Sequence, residues 1–137
     1  MKQYRLIDIP RFDEPRGTLS VIEGKPLLPF NPVRFFYIYG VPVSEKRACD
    51  ALKDSEEFII ALAGGFTITV DDGYSKTDFE LNRPDHGLYI PSLIWHELHN
   101  FAPSTVCGVL ASKPYDQNDC YRVYEDFLDA VRSRPRV

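Results

Sequence analysis

Short runs rich in Val, Ile, Phe, Tyr and Thr recur about every ten residues along this chain, and Pro, Gly or Asp stands between them. Punctuation at that interval leaves no room for long helices, so the pattern predicts an all-β sandwich or barrel. The expected strands are "YRLIDI", "TLSVIE", "VRFFYIY", "EFIIALA", "FTITVDD", "TDFELN", "GLYIP", "IWHELHNF" and "TVCGVLAS". In "FTITVDDGYSKTDFEL", Phe66, Ile68 and Val70 alternate with Thr67 and Thr69, Asp72-Gly73 turns the chain, and Phe79 and Leu81 alternate back. That segment predicts a hairpin.

The period changes only near the C-terminus. In "CYRVYEDFLDAVRS", Tyr121, Tyr124, Phe127, Leu128 and Val131 recur at helical spacing, which predicts a helix over about 121–132 packed on the sheets. The final "SRPRV" reads as a frayed end. A chain of 137 residues without a repeat or linker is expected to form one domain, 1–137.

A net charge of −4, with Lys and Arg scattered singly, supplies no basic stripe for phosphates along a duplex, so nucleic acid is not an expected partner. The longest apolar runs, such as "FIIALAGGF", fall well short of the roughly 20 residues that span a bilayer, so no membrane partner is expected. Cys49, Cys107 and Cys120 are odd in number, lack CxxC spacing and follow no signal peptide, which points to a cytoplasmic protein.

Two of the three histidines fall in "WHELHN". On an alternating strand His96 shares a face with Leu98 and Asn100, while Glu97 and His99 take the other, so one histidine at most enters a cavity. His96, between apolar neighbours, is the candidate, and His99 is expected to be exposed. In "VRFFYIY", Arg34, Phe36 and Ile38 take one face and Phe35, Tyr37 and Tyr39 the other; both are aromatic, and one is expected to line a pocket. Arg16 in "DEPRG" and Arg83 in "LNRPD" stand beside turn residues, where a guanidinium can grip a phosphate. No Gly-rich phosphate loop or GxSxG elbow occurs, and no cysteine has a histidine partner in sequence, which argues against a thiol nucleophile.

The spacing of Glu57 to Gly64, and of Pro91, His96 and Asn100, resembles the two motifs of the cupin superfamily. The ligand positions of its metal-binding members fall on Asp50, Leu52, Glu57 and His96; Leu52 has no donor atom, and the site is read as metal-free.

A closer resemblance covers nearly the whole chain. "RGTLSVIE", "RFFYIYGVP", "FIIALAGGFTITVDDG", "LNRPDHGLYIP", "WHEL", "NFAPSTVCGVLAS", "YD" and "YRVYEDFL" resemble, in that order, the WxcM-like, FdtA and QdtA group of sugar 3,4-ketoisomerases. The resemblance implies a cupin (RmlC-like) jelly roll with a short C-terminal helix. It further implies a dTDP-linked 4-keto-6-deoxyhexose as substrate, no cofactor, a role in bacterial glycan (lipopolysaccharide O-antigen) biosynthesis, and a homodimer with N-terminal strand exchange.

Moving a carbonyl from C4 to C3 requires a base beside the ketone, a hold on the enediolate, and return of the proton to the neighbouring carbon. The family segment R-G-x-H-A-H-K carries histidines for this work. Here the same frame reads Arg47, Ala48, Cys49, Asp50, Ala51, Leu52, Lys53, and both histidines are gone. The expected catalytic residues are therefore Asp50, His96 and Tyr37, and the expected substrate-binding residues are Arg16, Arg34, Arg47, Lys53, Arg83 and Glu57. Arg16 together with His96 resembles the galacto-producing members. A second reading is a non-catalytic nucleotide-sugar-binding cupin that kept the pocket and lost the base.

Overall fold

A computed structural model describes residues 3–134. In chain order the elements are β1 (Arg5–Asp8), β2 (Arg11–Glu14), β3 (Gly17–Ser20), β4 (Arg34–Tyr39), β5 (Arg47–Leu52), β6 (Glu57–Ala63) and β7 (Phe66–Asp71). They continue with β8 (Lys76–Leu81), β9 (His86–Ile90), β10 (Trp95–His99), β11 (Val106–Ala111), β12 (Cys120–Tyr121) and α1 (Tyr124–Arg132). Two five-stranded sheets face each other, in the orders β1-β9-β6-β11-β4 and β12-β5-β10-β7-β8, and every pairing is antiparallel. This is the expected jelly roll. The hairpin β2-β3 joins neither sheet.

The alternation that defines each strand delivers one set of side chains to the interior. Ile59, Ile68, Val70, Leu88, Leu98 and Val109 meet between the sheets, where burying each contributes about 1.5–3 kcal/mol. The first five residues of β6 are buried without alternation because the segment around Leu28 and Phe30 covers the outer side of the first sheet against Phe58, Ile60 and Tyr89. On the second sheet α1 seals the outer side: Phe127 is fully buried against Ala51 and Trp95. Tyr124 donates its hydroxyl to Asp71 at 2.5 Å, and Arg132 donates to the Gly73 carbonyl at 2.9 and 3.2 Å.

The 66–81 hairpin is as expected. Phe66 pairs with Leu81 and Asp71 with Lys76, while Asp72 accepts from the Tyr74 and Ser75 amides to close the turn. At the β6-β7 turn, Gly64 has φ +70°, and a Cβ there would collide with Thr105, so this position admits only glycine.

Three features depart from the sequence reading. The helix begins at Tyr124 rather than near 121, because Cys120 and Tyr121 pair instead with Leu52 and Ala51. Strand β2 was not expected. All of RACDALK but Lys53 is a strand, β5, interrupted by a bulge: Asp50 pairs with His96, Ala48 with Glu97, and Cys49 is the extra residue. Ala48 and Cys49 take the left-handed backbone, φ 68° and 59°. Of the terminal segment read as frayed, residues 135–137 lie outside the described residues. No helix among the described residues is long and apolar enough to cross a membrane.

Candidate active site

A cavity of about 510 Å³ opens between the two sheets, where segment 114–122 folds over the end of the sandwich. Strand β4 supplies Arg34, Phe36 and Ile38, and β5 supplies Arg47, Ala48, Asp50 and Leu52. Simple alternation from Asp50 would turn Arg47 away. The extra residue in the bulge restores it to the cavity side, so both Arg47 and Asp50 face in.

Arg34 is held between two rings, its guanidinium carbon 4.9 Å from the Phe36 centroid and 5.7 Å from that of Tyr115. Its Nε is buried and has no hydrogen-bond partner among the described residues. A fixed guanidinium with an unused donor is suited to an anionic oxygen.

At the floor, His96 is 2 % exposed. Its Nδ1 lies 3.2 Å from the Ile94 carbonyl, and its Nε2 lies 3.3 Å from Glu57 Oε1 and 4.0 Å from Asp50 Oδ1. Burial opposes the charged ring, yet the Glu57 contact, with Asp50 and the Ile94 carbonyl adding to it, holds the His96 pKa above the ordinary histidine value. Asp50 is pushed up by burial, against the opposing pull of His96. A carboxylate shifted upward is a better base than an ordinary one near 3.9.

The cavity mouth is clamped. Asp119 accepts from the Asp54 amide at 2.9 Å, the Ser55 amide at 3.2 Å and the Ser55 hydroxyl at 2.5 Å, which ties segment 53–55 to segment 112–122. Arg122 also lines the cavity. Among the described residues no group of three or more His, Cys, Asp or Glu side chains is disposed to hold a metal ion.

The family model for FdtA, described as WxcM-like, C-terminal, matches residues 2–132. The chain belongs to the FdtA family. It is 34% identical over 125 residues to the TDP-4-oxo-6-deoxy-alpha-D-glucose-3,4-oxoisomerase of Aneurinibacillus thermoaerophilus, covering 91% of this chain and 90% of that protein. Among solved structures, a mutant of the 3,4-ketoisomerase QdtA from Thermoanaerobacterium thermosaccharolyticum, in complex with TDP-4-keto-6-deoxyglucose, superposes with TM-score 0.93 at 33% identity, over 98% of this chain and 97% of that one. WlaRA of Campylobacter jejuni, a TDP-fucose-3,4-ketoisomerase, does so with TM-score 0.89 at 30% identity, over 94% and 96%.

This member of the FdtA family brings Arg34, Arg47, Asp50, Glu57 and His96 to one cavity. Four other expected site residues lie elsewhere in the chain. Tyr37 is a correction: β4 turns Arg34 inward, so the tyrosine faces outward, 57% exposed and stacked between Phe35 and Tyr39. Arg16 is at the exposed tip of the β2-β3 hairpin. Arg83 lines a different cavity beside Arg11 and pairs with Asp85 at 3.1 Å. Lys53 lies one residue beyond β5 with its ammonium 4.9 Å over the Tyr121 ring. Sequence reasoning missed Tyr115, Asp119 and Arg122; of these Tyr115 and Arg122 carried a signal, since they stand in "YD" and "YRVYEDFL" of the family resemblance.

Proposed function

We propose that this FdtA-family chain is a 3,4-ketoisomerase of a dTDP-linked 4-keto-6-deoxyhexose, with Asp50 as the base that replaces the missing histidines. The observation that carries the reading is a partly buried carboxylate, raised in pKa, within 4.0 Å of a buried imidazole that is itself shifted upward, in a cavity that also holds the unpaired Nε donor of Arg34. Asp50 takes the proton from C3, the electron pair of that bond forms the C3–C4 double bond, and the carbonyl π pair moves to the C4 oxygen, which receives a proton from His96 Nε2. The neutral enediol then returns its O3 proton to His96, and Asp50 delivers a proton to C4. Carbonyl and hydroxyl have exchanged places with no oxidant or reductant. Arg34 and Arg47 hold the diphosphate.

The deciding experiment is incubation of the protein with TDP-4-keto-6-deoxyglucose in heavy water. Deuterium appearing beside the carbonyl, together with the 3-keto product, supports the isomerase. Tight binding without label supports the second reading, a nucleotide-sugar-binding protein, which is favoured by one observation: Leu52, incapable of proton transfer, faces the cavity at a position where the family carries a histidine.

The proposal includes one domain over 1–137, a cytoplasmic location, a place in O-antigen sugar biosynthesis, and a homodimer with N-terminal exchange. Three thiols outside any disulfide suit a reducing compartment. The hairpin β2-β3, exposed along its length with Phe12 and Leu19 paired on it, and the outward stripe of Phe35, Tyr37 and Tyr39 are apolar surfaces that a second copy would cover. Light scattering at micromolar concentration tests this, and a monomer rejects it.

A further inference from the structure

We infer that Glu57 is a positioning residue, which keeps a second proton on His96 and so commits that ring to the acid role, rather than a residue that binds substrate. The consequence for catalysis rests on the ketoisomerase reading; the proton assignment rests on the contacts of the ring and the charges around it.

The first step is a count of hydrogens. The Ile94 carbonyl 3.2 Å from Nδ1 can only accept, so Nδ1 carries a hydrogen. A neutral imidazole has just one, which would leave a bare lone pair on Nε2. That lone pair would face the carboxyl oxygens of Glu57 at 3.3 Å and Asp50 at 4.0 Å, on a ring that is 2% exposed. With both carboxyl groups ionised, three lone-pair carriers turned on one another in a low-dielectric site are strongly unfavourable. A hydrogen on Nε2 turns each repulsion into an attraction.

The surrounding charges support a cation at this point. Strand β5 presents Arg47 and Asp50, β6 presents Glu57, β4 presents Arg34, and the mouth adds Asp119 and Arg122. From β11 the only titratable group is Cys107, whose thiol burial pushes up to about 12, so it stays neutral. On β7, the residue paired with His96 is Val70. The two carboxylates nearest Nε2 are therefore the groups that stabilise its charge.

Those two carboxylates are not equivalent. Glu57 comes from the opposite sheet, its side chain is 8% exposed, and it is the nearer to the ring. Asp50 is farther away and its side chain is 24% exposed. The deeper group is engaged by the imidazole; the shallower one is left for the substrate carbon. On this reading Glu57, expected from the sequence to bind substrate, acts through the imidazole instead.

The test is the pH titration of the histidine side-chain nitrogens by NMR in 15N-labelled protein, with His96→Asn identifying the His96 signals. In the wild type, His96 is expected to remain doubly protonated above the ordinary histidine value of about 6.5, and Glu57→Gln to weaken its proton affinity about tenfold or more. TDP affinity should stay within about twofold in Glu57→Gln, while deuterium incorporation at neutral pH falls and recovers on acidification. Glu57→Asp, which restores the charge, should restore part of the titration shift, and serves also if the Gln variant does not fold. A wild-type His96 that is neutral at pH 6.5, or one whose titration is the same in both variants, overturns the inference. So does a Glu57→Gln protein that loses TDP affinity with the His96 titration unmoved. Absence of turnover alongside a Glu57-dependent titration rejects the ketoisomerase reading and upholds the proton assignment.

Discussion

Asp50 and His96 are direct partners across the β5-β10 ladder, and the register slips immediately beyond them, between His96 and Glu97. The pair just ahead of the slip thus carries both groups proposed to handle protons, and the irregularity that follows brings Arg47 to the same cavity. One backbone defect joins recognition to chemistry.

That defect is built from residues ill suited to it. Ala48 holds φ 68°, a conformation that costs a residue with a Cβ roughly 1–2 kcal/mol. Ala48→Gly is expected to raise stability by about 1 kcal/mol, after allowing for the greater freedom of glycine in the unfolded chain. Urea unfolding checks this, and a lowered midpoint would mean that the bulge is not under strain.

Removing the base should stop the chemistry while leaving the ligand bound. Asp50→Asn is expected to reduce deuterium incorporation by about 10²–10⁴-fold with TDP affinity nearly unchanged. Restoring the family pair, Asp50→His with Leu52→His, should exceed the wild-type rate. Both effects are read by NMR of the sugar ring protons.

Arg34 offers the clearest binding prediction. Its truncation removes a charge-assisted contact, so Arg34→Ala should weaken TDP binding by about 1.5–3 kcal/mol in calorimetry. Arg83→Ala, outside the cavity, should leave the affinity as it was.

The hydroxyl of Tyr124 reports on the docking of α1. Its hydrogen bond to Asp71, aided by burial and the nearby carboxylate charge, pushes its pKa up to about 12. A group whose folded-state value is raised contributes stability that is complete below its unfolded value, near 10, and is lost as the pH rises through about 12. Tyr124→Phe should cost about 0.5–1.5 kcal/mol at neutral pH and flatten the loss of stability between pH 10 and 12. Denaturant melts across that range would detect either outcome.

Much of this architecture could be read in advance where neighbouring residues decide it. The 66–81 hairpin was legible because alternation and the Asp72-Gly73 turn agree, and the inward face of β4 was one of two aromatic faces already named. Tyr37 was misplaced because Phe35, Tyr37 and Tyr39 look as fit for an interior as Phe36 and Ile38. Strand β5 escaped notice since Ala48, Asp50 and Ala51 are poor strand formers and the bulge breaks the period of two. Arg122 and Asp119 reach the cavity only through a chain reversal some seventy residues beyond Arg47 and Asp50, which no local pattern announces.

The cavity wall at Asp50 and Leu52 has a further implication. These side chains face open space rather than tightly packed neighbours, whereas the sandwich is held by Ile59, Ile68, Val70 and Leu98. A lineage can therefore exchange the reacting groups by single substitutions while foldability and nucleotide recognition are preserved. The scaffold buffers drift in its chemistry, and an altered catalyst, a new specificity or a mute receptor all lie within a few codons of one another.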